Sequence, residues 1–206
     1  MNLNLRRILI LLATAFISTT ATAENHDGLI EYKQCLPCHG ADAGGNANLK
    51  APSIAGLPAW YIERQLLDYQ KGIRGKHPDD IPGMRMRAMS KTVQSQRVKP
   101  VAEYIAAMPA VALNTTVKGN VDVGQQLFAV CSACHGEKAE GNEALNAPPL
   151  KIMNDWYQVT QLNNYKTGAR GYHPEDIHGA TMKGMASTLV DDQAVLDVVS
   201  YINTLK

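Results

Sequence analysis

Apolar residues recur along this chain at helical spacings, with no credible run of the two-residue alternation that marks a half-buried strand. Residues 60–70 and 156–166 place Trp, Tyr and Leu on one helical face, and Gly72 and Gly168 follow where a helix C-cap is expected. Shorter helices are predicted over 27–35 and 123–131, and closing helices over 96–108 and 191–205. Pro100 must then lie in the first turn of its helix or distort it. The pattern predicts an all-α fold.

The pattern also repeats. Trp60-Tyr61 returns as Trp156-Tyr157, Gln65-Leu66 as Gln161-Leu162, and Gly72-Ile73-Arg74-Gly75 as Gly168-Ala169-Arg170-Gly171, always 96 residues on. Between Cys35 and Met89, 25 of 55 positions are identical to their counterparts without a gap, which marks a duplicated unit. A boundary is expected around 109–120, a stretch without apolar periodicity, giving units at 24–113 and 114–206. Units of this size are helped to a stable core by a cofactor.

The repeat carries its chemistry in Cys35-Leu36-Pro37-Cys38-His39 and Cys131-Ser132-Ala133-Cys134-His135. Two thiols and an imidazole at this spacing are the attachment signature of a c-type haem. The cysteines would form thioethers to the haem vinyl groups, and His39 and His135 would ligate the irons. All four cysteines are used in this way, so two covalently bound haem c groups are expected.

Arg6-Arg7, the apolar run 8–17 and Ala21-Thr22-Ala23 read as a secretory signal peptide over 1–23, cleaved near Ala23. The apolar run is shorter than the roughly 20 residues of a spanning helix, and no later segment qualifies. A periplasmic protein without a transmembrane segment is expected. Removal of 1–23 leaves 18 basic and 19 acidic residues, with 11 basic and 9 acidic over 24–113 against 7 and 10 over 114–206. The opposite signs give a dipole that would orient approach to redox partners. Nothing suggests nucleic acid binding.

An electron-transfer haem needs a second axial ligand, usually Met or His. Groups present in both halves are Met86/Met182, Met89/Met185 and His77/His173. Met86 and Met182 are favoured, on a loop expected just before the last helix of each unit, with Met89/Met185 as the alternative. His77 and His173 read as exposed or propionate-facing loop residues. Pro52 and Pro148 are candidates to present a carbonyl to the free ring nitrogen of His39 and His135. Arg74 and Arg170 are candidates for haem propionates, and Trp60, Trp156, Tyr69 and Tyr165 for packing on the porphyrin or core. Arg85, Arg87, Lys91, Arg97 and Lys99 form a basic patch suited to an acidic partner.

With both haem motifs, the Tyr-x-x-x-Gln-Leu-x-x-Tyr-x-x-Gly-x-Arg segments and the Met-x-x-Met segments in place, the chain resembles the cytochrome c4 family across 24–206. The resemblance implies two tandem class I cytochrome c domains, His–Met ligation by His39/Met86 and His135/Met182, and propionates near the domain interface. It implies a dihaem carrier passing single electrons between respiratory donors and a terminal oxidase or reductase, not an enzyme. The rival readings are a haem subunit of a flavocytochrome or other dehydrogenase complex and, behind it, a dihaem peroxidase. The first unit has Arg85-Met86-Arg87 where the second has Thr181-Met182-Lys183, so the first haem is expected at the higher potential.

Overall fold

The computed structural model describes residues 20–206, with side chains from His26 onward. Residues 1–19 of the expected leader lie outside the described residues. Among those described, helices α1 (Thr20–Tyr32), α2 (Leu36–His39), α3 (Ala59–Lys71), α4 (Ile81–Ser90) and α5 (Val98–Ala106) build the first unit. Helices α6 (Val121–His135), α7 (Asp155–Thr167), α8 (Ile177–Ala186) and α9 (Asp192–Thr204) build the second. The only β pairing among them is two isolated bridges, Asn46 to Ala51 and Asn142 to Ala147.

The helices end where their sequences dictate. Gly72 and Gly168 cap α3 and α7 in the left-handed region, at φ +75° and +80°, which glycine enters without a Cβ clash. Pro100 sits in the first turn of α5, where its missing N–H costs no helical bond. The two haem motifs differ in backbone. In the second unit α6 runs unbroken through Cys131 and His135, whereas in the first the helix stops at Tyr32 and restarts at Leu36. Pro37 supplies no N–H to close a turn there; its counterpart is Ala133.

The methionine segments are helices, α4 and α8, rather than the expected loops. Asp80 and Asp176 start them, each carboxylate accepting the N–H of a glycine three residues on, Gly83 at 3.0 Å and Gly179 at 2.8 Å.

In each unit the first and last helices cross at a glycine. A Cβ on Gly28 would lie 2.5 Å from Pro100 O, and one on Gly124 would lie 2.0 Å from Asp197 O. Beside these crossings the rings of Tyr32 and Tyr104, and of Phe128 and Tyr201, pack with centroids 5.6 and 5.4 Å apart. Val98, Val101 and Ile105 fill the first core, and Val195, Val198 and Val199 the second. The halves are joined as well as linked. Met153, from the second half, is buried in the first core. Ser53 N donates to Asn154 Oδ1 at 2.6 Å, and Arg64 Nη1 to Asn146 Oδ1 at 2.9 Å. Residues 116–120 are fastened to the second unit, with Thr116 N and Val117 N donating to Asp155 and Asn120 N to Asp197.

Candidate cofactor sites

Each CxxCH segment lies along one wall of a cleft. The loop after the motif is folded back by the bridge between Asn46 and Ala51, with Gly45 N donating to His39 O at 2.8 Å. Gly45 has φ +85°, and a Cβ there would meet the backbone of Pro52 and Ser53 at 2.5 Å, so the loop can close this tightly only on glycine. The closure delivers the Pro52 carbonyl to His39, whose Nδ1–H donates to it at 2.8 Å. Gly141, Pro148 and His135 repeat the arrangement, again at 2.8 Å. Burial lowers the pKa of both histidines, against the opposing effect of these bonds, so each imidazole is held neutral. With Nδ1 committed to a carbonyl, Nε2 keeps a lone pair for a metal.

Cys35 and Cys131 are half-buried, and burial pushes each thiol up to about 11. A redox-active CxxC pair works through a thiol of depressed pKa; these have the opposite property.

The clefts enclose about 1300 and 1370 Å³ including their open mouths. Cys35, Cys38, His39, Pro52, Met86 and Met89 line the first; Cys131, Cys134, His135, Pro148, Met182 and Met185 line the second. His77 and His173 line neither, and their Nδ1 atoms accept the backbone N–H of Asp79 and Glu175, the role of turn residues. Tyr69 and Tyr165 line one cleft each. Trp60 and Trp156 line neither; Trp60 packs against the first core, and the two rings lie beneath Arg64 and Lys50, with the cations 5.2 and 6.0 Å from the ring centroids.

The clefts share a wall formed by Tyr61, Gln65, Arg74, Met153, Tyr157 and Gln161. Arg74 donates to Gln65 Oε1 at 2.5 Å and to Gln161 Oε1 at 2.9 Å; Arg170 donates to Gln161 Oε1 at 2.9 Å and to Gln65 Oε1 at 2.9 Å. Each guanidinium also lies over a tyrosine of its own unit, Arg74 over Tyr69 and Arg170 over Tyr165. The two arginines are 6% and 7% exposed, and the Nε of each is buried without an acceptor. Gln65 and Gln161 were legible in the sequence only as identical residues of the repeat; their shared role depends on the other half.

A family model for cytochrome c matches residues 121–206. Over 182 residues the chain is 30% identical to a protein named thiosulfate dehydrogenase electron acceptor from Stutzerimonas stutzeri, covering 82% of this chain and 78% of that one. It is 35% identical over 91 residues to cytochrome c4 of the same species, covering 43% of this chain and 42% of that one. The fold matches the crystal structure of reduced cytochrome c4 from Pseudomonas stutzeri with a TM-score of 0.69 at 22% identity, over 92% of this chain and all of that one. The chain belongs to the family of that S. stutzeri electron acceptor, its second half matches the cytochrome c model, and it shares the fold of cytochrome c4. It consists of two tandem class I cytochrome c domains, carries two covalent haem c groups, and is an electron carrier rather than an enzyme. The clefts suit that group. Each is lined by two thiols, a neutral imidazole and methionine sulfur. Each also has a buried guanidinium Nε, without an acceptor, able to meet a carboxylate.

Proposed function

We propose that Cys35 and Cys38 attach one haem and Cys131 and Cys134 the other, with His39/Met86 and His135/Met182 as axial ligands. The observation that carries this is the pairing of a carbonyl-anchored neutral histidine with a methionine helix in the same cleft, twice over. The choice of methionine follows from helical phase. Met86 shares the stripe of α4 that holds buried Gly83 and Ser90, whereas Met89 is 41% exposed. Met182 likewise shares its stripe with buried Gly179 and Ala186. When bound, each haem supplies a reversible one-electron Fe(III)/Fe(II) couple. The chain's part is to fix the imidazole through Pro52 or Pro148, cap the opposite face with sulfur, and offer Arg74 and Arg170 to the haem carboxylates.

Residues 24–113 and 114–206 are read as the two domains, exported to the periplasm after loss of 1–23. The attachment of 116–120 to the second unit supports that division. No described helix is long and apolar enough to cross a membrane.

The protein passes single electrons between respiratory donors and a terminal oxidase or reductase. The name of its S. stutzeri relative supports a dehydrogenase as donor, whether the contact is transient or that of a subunit. Charge at the cleft mouths supports an acidic partner at the first haem. Lys50 and Arg85 line the first cleft and Lys91 is exposed nearby, where the second unit has Asn146, Thr181 and Ser187. Arg97 and Lys99 belong less to this surface, being ion-paired with Asp27 and Glu103.

A redox titration of the holoprotein, followed by optical absorption, tests the assignment. Two positive potentials with the oxidised methionine–iron charge-transfer band at both haems support it. A haem that lacks the band and binds carbon monoxide rapidly overturns it.

A further inference from the structure

The two halves part company at one pair of interface positions. Asn164 of α7 donates from Nδ2 to Oδ1 of Asp80 across the boundary at 3.3 Å. The repeat equivalent of Asn164 is Asp68 in α3, and that of Asp80 is Asp176. The same crossing therefore turns Asp68 toward Asp176, one carboxyl facing another where the mate has an amide donor. Asp68, Asp176 and His178 line the second cleft and not the first, where Asp80 is the carboxyl group and Pro82 stands at the position of His178.

The neighbours do not relieve this pairing. Facing Asp68 are Arg64 on its own helix, Arg74 in the following loop, and Arg170 and Asp176 from the second unit. Arg64 is bonded to Asn146, and Arg74 and Arg170 to Gln65 and Gln161. Gln65 Nε2 makes only a long 3.5 Å contact to Asp68 Oδ2. Asp176 is committed as an acceptor, since its carboxylate holds the Gly179 N–H at the start of α8. Burial first, and then the charge of Asp176, hold the Asp68 carboxyl above its ordinary range despite the three arginines.

We propose that Asp68, facing Asp176, is a proton-binding site that couples electron transfer to proton transfer at the second haem and not at the first. The proposal rests on a haem occupying the second cleft. An electron arriving there from the redox donor removes one positive charge, and Asp68 takes up to one proton from solvent, forming a single O–H bond. When the electron leaves to the acceptor, that bond breaks and the proton returns to solvent. Positive charge in the cleft favours ionised Asp68, so the second potential falls as pH rises through the range in which Asp68 titrates. Asn164 carries no proton in this range, so the first haem lacks the device.

Spectroelectrochemical titration of the holoprotein from about pH 4 to pH 8, spanning carboxyl titration, tests it. One of the two potentials should fall with pH more steeply than the other. Asp68→Asn should remove that excess slope, and Asn164→Asp should give the other haem a slope of its own. Slopes equal at both haems, or an excess slope that survives Asp68→Asn, overturn the proposal. The methionine–iron band scored in the same cell tests the ligand assignment separately: its absence overturns that assignment, while the pH slope alone decides the proton site.

Discussion

Gln65 and Arg170 lie 105 positions apart in the chain and 2.9 Å apart in space, the glutamine oxygen accepting from the guanidinium across the boundary between units. Because Arg74 donates to the same oxygen, Gln65→Leu strands N–H groups on two buried cations at once. Hydrogen bonds to charged groups are worth about 1.5–3 kcal/mol each. The variant should lose stability on that scale in chemical denaturation, and both reduction potentials should move, although the change is in one unit. A shift confined to one haem would show that the wall is not shared in function.

Met86→Leu should abolish the oxidised methionine–iron band at one haem, leaving half the wild-type intensity. Met89→Leu should leave both. Met86→His should keep that haem low-spin and lower its potential, since a second imidazole favours Fe(III) relative to thioether sulfur. Loss of band intensity in Met89→Leu with retention in Met86→Leu would reverse the choice.

Asp155, fully buried, gathers the N–H groups of Thr116, Val117 and Trp156, the Thr116 hydroxyl and the Asn203 amide. Burial alone would raise its pKa, but these bonds outweigh it and hold the carboxyl below the usual range. A folded-state pKa below the unfolded one contributes stability that is full above the unfolded value and is lost as pH falls through the folded one. Asp155→Asn should therefore be destabilised at neutral pH, with the gap to wild type narrowing in acid. Thermal melts of both proteins across that range check it, and a gap that widens in acid would contradict the sign.

Gly124→Val should fail at the crossing of α6 and α9, where even the first added carbon would overlap Asp197 O. Overpacking of this kind costs about 1–3 kcal/mol or more, and Gly124→Ala should show a smaller form of the same loss. Proteolysis should then begin in the second half of the chain. Equal protection of both halves would place the weak point elsewhere.

What the sequence disclosed was local or repeated. The CxxCH motifs, the prolines behind each histidine and the glycines closing α3 and α7 are short-range signals, and identity across 96 residues marks the duplication. Helices α4 and α8 were hidden because Pro82, Gly83, Gly179 and Gly184 depress helix propensity. Capping by Asp80 and Asp176 and burial of one stripe against the cleft compensate for that. Trp60 packs on the first core as its periodicity implies, but Trp60 and Trp156 both stand outside the clefts, covered by cations whose positions no helical pattern encodes. The pairing of Asp68 with Asp176 was invisible for the same reason, since a one-residue difference between repeats acquires meaning only when the halves face each other.

The crossed bonds of Gln65 and Gln161 have the form of an isologous contact, in which position i of one copy meets position j of the other and the reverse holds too. A symmetric dimer of single-haem chains would make such a contact from one gene product, and every substitution in it would appear on both sides. Fusion lifts that restriction. Once the two copies are written into one chain, Asn164 can stand opposite Asp80 while Asp68 stands opposite Asp176, and Lys50 can have Asn146 as its counterpart. The duplicated chain can thus have a front and a back, a distinction that a symmetric pair could not inherit.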